Sequence, residues 1–215
     1  MPEVSTSKLT SFMKKSCLPA LGLAVCFLLT ACGVDSDSPL APPESASVDN
    51  RLLGDWVATN GDIIHFSAKD AHWMETVTTS PKASNYSTTS DKTPEPDLFF
   101  VSTIGNDTYM NMRIASKDEA GPRMKYCFFR YAIAPDQTLH MWGMSQDEMA
   151  AAVRTGKIKG TVHKNGTMGN PPRTNVDVHL TDTGANIVKF ISRHDAADLF
   201  DDDNGPLVRV RTAGD

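Results

Sequence analysis

The chain has little cysteine, no long apolar run and no excess of basic charge. Three of its four cysteines lie in the first 32 residues, so Cys127 stands alone in the rest of the chain and a disulfide within residues 33–215 is excluded. The apolar run from Leu18 to Ala31 is shorter than the ~20 residues that a transmembrane helix needs. A net charge of −5 without a basic cluster argues against nucleic acid as a partner.

Motifs that carry chemistry are missing as well. The six histidines are scattered without HExxH spacing, and neither a GxSxG serine elbow nor a phosphate-binding glycine loop occurs. The acidic run from Asp201 to Gly205 lacks the ligand spacing of a calcium loop. We therefore predict no catalytic residue, no metal site and no cofactor, and the sequence favours a non-enzymatic protein.

The first 32 residues have the order of a cleaved signal peptide. Lysines at positions 14 and 15 precede the short apolar run, and the small residue Ala31 stands directly before Cys32. Here the chain resembles the bacterial lipoproteins, whose lipobox is matched by the four residues Leu29 to Cys32. The resemblance implies removal of residues 1–31, thioether attachment of diacylglycerol to Cys32 and acylation of its new amino group.

The same resemblance implies a location. In such lipoproteins an Asp directly after the lipidated cysteine favours retention in the inner membrane, and here that residue is Gly33. The expected location is the bacterial cell envelope, at the outer membrane and facing the periplasm. Loss of three lysines and one glutamate with the signal leaves a net charge of −7, so the lipid rather than charge is expected to bind the membrane.

Residues 32–50 are rich in Ser, Asp, Pro and Ala and contain one Leu and two Val. Such a segment cannot bury enough apolar surface to order itself, so we predict a disordered tether. Residues 51–215 have a length typical of one hydrophobic core, and we predict a single β-rich domain there.

Alternation with a period of two dominates this domain and is interrupted by turn residues. Asn60-Gly61 predicts a hairpin with a type I′ turn, and residues 105–107 and 135–137 predict two more hairpins. A helical period follows Ser145, which forms a capping-box pattern with Glu148, and a second one follows Asp182. The pattern predicts a mainly β fold with two short helices in the C-terminal half.

Consecutive hairpins favour an antiparallel meander that forms a barrel or a strongly curved sheet. Gly54 and Trp56 in the first strand, the meander, a late helix and an Arg in the last strand resemble the lipocalin and calycin pattern. The resemblance implies that Trp56 closes one barrel end and pairs with Arg209 or Arg211. The helix after Ser145 interrupts the meander, which is a departure from that family.

Alternation also predicts which side chains face a pocket inside such a barrel. The candidates are Met110, Met112, Cys127, Phe129 and Met141. A binding or interaction domain anchored in the envelope, with the membrane and a small apolar ligand or a periplasmic protein as partners, is the favoured function. An inhibitor or immunity-type lipoprotein that binds a protein partner, and an envelope hydrolase with an unrecognised site, are the alternatives.

Overall fold

The computed structural model describes residues 33–80, 95–118, 121–168, 173–203 and 205–210. Cys32 and Arg211 lie outside these ranges. The described residues form three α-helices, α1 (Gln146–Arg154), α2 (Gly184–Ile191) and α3 (Ala196–Leu199), and one 3₁₀ turn at Pro43–Ser45. The strands are β1 (Val34–Ser36), β2 (Gly54–Val57), β3 (Ile63–Ala68), β4 (Met74–Thr79), β5 (Asp97–Ile104), β6 (Asp107–Asp118), β7 (Gly121–Ile133), β8 (Thr138–Gly143), β9 (Gly160–Met168), β10 (Arg173–Leu180), β11 (Asp202–Asp203) and β12 (Leu207–Arg209).

Eight antiparallel strands close into a lipocalin-like barrel. Strands β2 to β8 form a meander in which each strand pairs with the next. The last strand, β12, pairs with β8 on one side and with β2 on the other, and this pairing closes the barrel. The helix α1 does follow β8, as the sequence predicted, but the chain returns after residue 206 to add the eighth strand.

The three predicted hairpins are present, although one turn differs in type. In the turn between β2 and β3, the Gly61 N–H donates to Ala58 O (2.9 Å), and Ala58 N–H donates to Asp62 O (2.9 Å). Gly61 has a φ of 89°, whereas Asn60 does not have a positive φ. This is a three-residue loop that ends in a left-handed glycine, and the type I′ prediction was wrong because that turn needs positive φ at both central residues.

Two separate cores pack against the barrel wall. The interior core lies inside the barrel and contains Leu52, Trp56, Ile64, Phe66, Met74, Phe99, Met110, Met112, Cys127, Phe129, Tyr131, Leu139, Met141 and Leu207. The outer core includes Tyr109 and Phe128 from the opposite face of β6 and β7, together with buried side chains of β1, β10 and the three helices. Strands β6 and β7 are therefore apolar on both faces, which strict alternation does not predict.

A wing made of β1, β9 and β10 extends the sheet beyond the barrel. Strand β1 pairs in parallel with β10 and meets β7 at Ser36 and Tyr126. Strand β9 pairs with β10 in an antiparallel register that has an irregularity between Thr174 and Val176. The outer core lies beneath this wing.

Residues 33–50 do not form the predicted disordered tether. Val34 and Leu40 are buried in the outer core. The Leu40 N–H donates to the buried Asn111 Oδ1 (2.9 Å), and the Val178 N–H donates to Gly33 O (2.8 Å). The prediction failed because composition measures what a segment can bury alone, whereas this segment joins an existing sheet through backbone hydrogen bonds. The ordered unit thus includes residues before position 51.

The helices agree with the predicted periodicity but differ in capping. Ile187, Phe190 and Ile191 are buried on one face of α2, and Thr183 caps it by accepting from the Asn186 N–H (3.4 Å). Ser145 stands at the N-cap of α1, but its hydroxyl lies 3.3 Å from Asp201 Oδ2 and makes no capping hydrogen bond. The capping-box prediction was therefore wrong, and the short helix α3 was not predicted.

One barrel end is closed by Trp56 and Arg209. Trp56 is fully buried, and its indole N–H donates to Leu52 O (2.7 Å). The Arg209 guanidinium lies 4.5 Å from the centre of the Trp56 ring and donates to Leu53 O (2.8 Å) and to Arg51 O. Gly54 has a φ of 110°, a conformation that a side chain would strain. Arg209 is one of the two partners that the resemblance implied, while Arg211 lies outside the described residues.

We expect Trp56→Ala to lower the free energy of unfolding by ~3–5 kcal/mol, because it removes a large buried side chain. Arg209→Ala should cost ~1–2 kcal/mol through the lost ring contact and backbone hydrogen bonds. A double-mutant cycle in urea measures the coupling, which should exceed ~0.5 kcal/mol because the two side chains touch. Arg193→Ala, at an exposed position, is the control and should be additive with Trp56→Ala. Additivity between Trp56→Ala and Arg209→Ala would contradict the closure.

Candidate functional site

The predicted pocket-facing side chains all lie in the barrel interior. Met110, Met112, Cys127, Phe129 and Met141 belong to the interior core and are each 0–3% exposed. An eight-stranded barrel is just wide enough to be filled by side chains or to hold one small ligand. That these five residues line a ligand pocket stays a prediction.

The strand register arranges part of this interior in a layer. Met74 pairs with Phe99, Phe99 with Met112, and Met112 with Cys127. Two thioethers, a thiol and one aromatic ring therefore form a row across four neighbouring strands of the barrel. Methionine side chains are flexible and polarisable, so this layer can repack around a guest at low cost.

Two residues further along each of these four strands, toward the barrel end, the positions of the same parity form a more polar level, which we call the mouth. These positions are Thr76, Asp97, Ile114 and Lys125. Thr76 is 2% exposed, and within the described ranges its hydroxyl has no hydrogen-bond partner. Burial raises the pKa of Asp97 above its ordinary value. The mouth thus combines a buried hydroxyl that lacks a partner among the described residues with a carboxyl group whose pKa is raised by burial.

The opposite end is covered by the strap, residues Val48–Leu53. Leu52 fills the interior core, and Val48 packs against it. The Tyr131 hydroxyl donates to Asp49 Oδ2 (2.8 Å), and the Arg51 guanidinium makes a two-pronged contact with the same carboxylate (2.7 and 2.9 Å). Burial opposes ionisation of Asp49, but the hydrogen bonds from Arg51 and Tyr131 outweigh it and lower its pKa.

A polar cleft of about 300 Å³ lies on the wing, outside the barrel. It is lined by Gly33, Asp35, Lys125, His163, Asp177, Val178 and His179. The Asp35 carboxylate faces the Lys125 ammonium (3.2 Å) with one oxygen and bonds His179 Nδ1 with the other. His179 Nε2 lies 3.3 Å from Asp37 Oδ1.

This cluster holds strands together rather than offering a free reactive group. Both oxygens of Asp35 and both ring nitrogens of His179 face a partner, and the three elements involved are β1, β7 and β10. A general base or nucleophile must be available to a substrate, and these atoms already satisfy one another. We interpret the cluster as a clamp that fixes β1 to β7 on one side and to β10 on the other.

No group of three His, Cys, Asp or Glu side chains in the described part of the chain is close enough to hold a metal ion. No helix among these residues is both long enough and apolar enough to cross a bilayer.

Sequence reasoning missed the clamp, the strap contact and the mouth hydroxyl. Asp35 fell in the predicted tether, and the scattered histidines were not expected to form a site, although the side chain of His179 is only 22% exposed. These residues are 144 positions apart, so no local pattern could connect them. Neither a protein-family model nor a curated protein nor a solved structure matches this chain.

The strap should make stability depend on pH. Asp49→Asn removes a carboxylate that accepts charged and phenolic hydrogen bonds, so at neutral pH it should lower the free energy of unfolding by about 1–3 kcal/mol. The pKa of Asp49 is lowered in the folded protein from the ordinary value of 3.8. The ionised carboxylate therefore stabilises the fold at pH values above 3.8, and this stabilisation is lost as the pH falls below 3.8.

Urea unfolding at neutral pH and at about pH 3 measures this difference. Wild type and Asp49→Asn should differ at neutral pH and converge in acid, while Glu95→Gln, at an exposed position, should match wild type at neutral pH. A difference between wild type and Asp49→Asn that is the same at both pH values would rule out the ionised strap contact.

Proposed function

We propose that this chain is an envelope lipoprotein, anchored through Cys32, whose barrel is a non-enzymatic binding domain for a small, largely apolar ligand. The lipobox and the apolar run before it support the anchor, and Gly33 after the cysteine supports an outer-membrane location facing the periplasm. A closed lipocalin-like barrel with an apolar interior is compatible with binding of this kind.

The observation that carries the ligand proposal is the buried hydroxyl of Thr76, which has no hydrogen-bond partner among the described residues. A buried polar group without a partner costs about 1–3 kcal/mol, so native proteins rarely keep one unless it has a use. Thr76 shares its strand face with Met74, and its cross-strand partner is Asp97. Such a ligand places an apolar body among the methionine side chains and donates one hydrogen bond to the Thr76 hydroxyl, so it contacts both the methionine layer and the mouth.

A second candidate function is binding of a protein partner, as an inhibitor or immunity-type lipoprotein. The closely packed interior favours this function. The five candidate pocket residues are each only 0–3% exposed, so a partner would be recognised by the outer surface of the barrel. The mature chain would carry 18 basic and 25 acidic residues, and this charge suits a basic partner and disfavours nucleic acid.

Thr76→Val tests the ligand proposal, because valine keeps the shape of the side chain and removes the hydroxyl. The unliganded variant should be as stable as wild type or more stable, since an unsatisfied buried group is lost. Wild type should bind 1-naphthol more tightly than naphthalene by ~1 kcal/mol, or about fivefold, and Thr76→Val should lose that preference. Fluorescence titration measures the binding, and urea unfolding measures the stability.

Thr108→Val is the matched control, because the Thr108 hydroxyl already donates to Tyr131 O (3.2 Å). It should lose stability and keep the preference for 1-naphthol. If wild type binds neither compound in a saturable way, the interior is a closed core and the protein-binding function takes its place.

Cys32→Ala tests the anchor. We expect the variant to leave the membrane fraction and to incorporate no labelled palmitate, because the thiol that accepts the lipid is gone. Cys26→Ala, a cysteine six residues earlier in the apolar run, is the control and should fractionate as wild type does. Cys32→Ala protein that remains with membranes after a high-salt wash would show that lipidation is not the anchor.

A further inference from the structure

The residue that follows the proposed lipidation site is held within the fold. The backbone carbonyl of Gly33 accepts a hydrogen bond from Val178 N–H (2.8 Å), and Gly33 is buried. A Cβ placed on Gly33 would lie 1.4 Å from the side-chain nitrogen of Gln146, so the glycine sits tightly against the start of α1. The next residues, Val34–Ser36, are already strand β1.

This short connection sets how far the domain can move from an anchor on Cys32. A fully extended chain spans at most ~3.3–3.6 Å per residue, so the predicted tether of residues 33–50 would reach ~60 Å. With that segment folded, the connection is one peptide unit plus the cysteine side chain. We infer that the anchored domain docks directly on the bilayer surface, an inference that rests on the proposed lipidation.

The strand directions identify the surface that meets the bilayer. Strands β1 and β10 run in parallel, with Val34 beside Val178, so the end of β1 that carries Gly33 is the end at which β10 begins. From Asp177 back to Arg173, β10 continues for four more residues, or about 13 Å at ~3.3 Å per residue. Residues 173–176 of β10 and their partners on β9, which we call the hairpin end, therefore project past the anchor point.

The bilayer dimensions favour this contact. Each headgroup layer is ~5–8 Å thick, which is less than the ~13 Å by which the hairpin end projects along the strand direction. We therefore expect the hairpin end to lie in or along the headgroup layer when the acyl chains of Cys32 enter the same leaflet. Lys159 is at the other end of this strand pair, five residues or ~17 Å from Lys164 along the chain of β9.

The charge of this surface is compatible with lipid headgroups. Between Thr161 and His179 the chain carries Lys164, Arg173 and one acid, Asp177, whereas the mature chain as a whole would have a net charge of −7. Asp147 and Glu148 in the first turn of α1 add negative charge near Gly33. The short reach of the anchor, more than charge, holds the hairpin end at the membrane.

Two exposed lysines allow a matched measurement on the lipidated full-length protein. Lys164→Cys and Lys159→Cys are each labelled with an NBD fluorophore, and the parent chain, in which Cys127 is buried, reports background labelling. The proteins are placed in vesicles of phosphatidylethanolamine and phosphatidylglycerol that contain a headgroup nitroxide lipid. The label at position 164 should be quenched several-fold more strongly than the label at position 159.

A flexible Gly-Ser linker of about 20 residues, inserted between Cys32 and Gly33, has a mean span of ~25 Å and should abolish the difference. Equal quenching at positions 164 and 159 without the linker, or unchanged quenching with it, would overturn the docking. Mass spectrometry of the same samples separates this failure from that of the lipoprotein proposal. Acylated Cys32 with equal quenching refutes the docking alone, whereas unmodified Cys32 refutes the anchor and the docking with it.

Discussion

Strand β7 has to be apolar on both faces, because the interior core and the outer core are both built on it. Cys127, Phe129 and Tyr131 point into the barrel, and Phe128 points into the core beneath the wing. The strand is also long enough to pair along one edge with β8 and then with β1. Barrel and wing are therefore one sheet, and the position of either depends on this strand.

Local features of the fold followed from the sequence, and long-range ones did not. Turn residues at positions 60–61 and 105–107 predicted hairpins because they specify backbone conformations that only a few residue types adopt. Closure by β12 depends on a strand that returns after an insertion with all three helices, and no periodicity encodes that return. The tether prediction failed for the same reason, because Leu40 is held by Asn111, 71 residues away.

The candidate site likewise contains some residues that the sequence predicted and others that it did not. A family resemblance led to Trp56 and Arg209, since it carries information about contacts that spacing lacks. Alternation placed Met110 and Cys127 inside the barrel, because strand residues of one parity share a face. The unpaired Thr76 hydroxyl is a property of its tertiary surroundings, and the sequence marks it only as a threonine in a strand.

The two ends of the barrel differ in how their polar groups are satisfied. At the strap, Asp49 is fully engaged by Arg51 and Tyr131, so that end is closed by paired charges. At the mouth, Thr76 has no partner among the described residues, and burial raises the pKa of Asp97. Lys125 belongs to both the mouth and the clamp, because its ammonium bonds Asp35 on β1. The strand next to the proposed lipid anchor and the rim of the barrel are thus joined through one carboxylate, whereas the strap at the opposite end is held by a separate set of contacts.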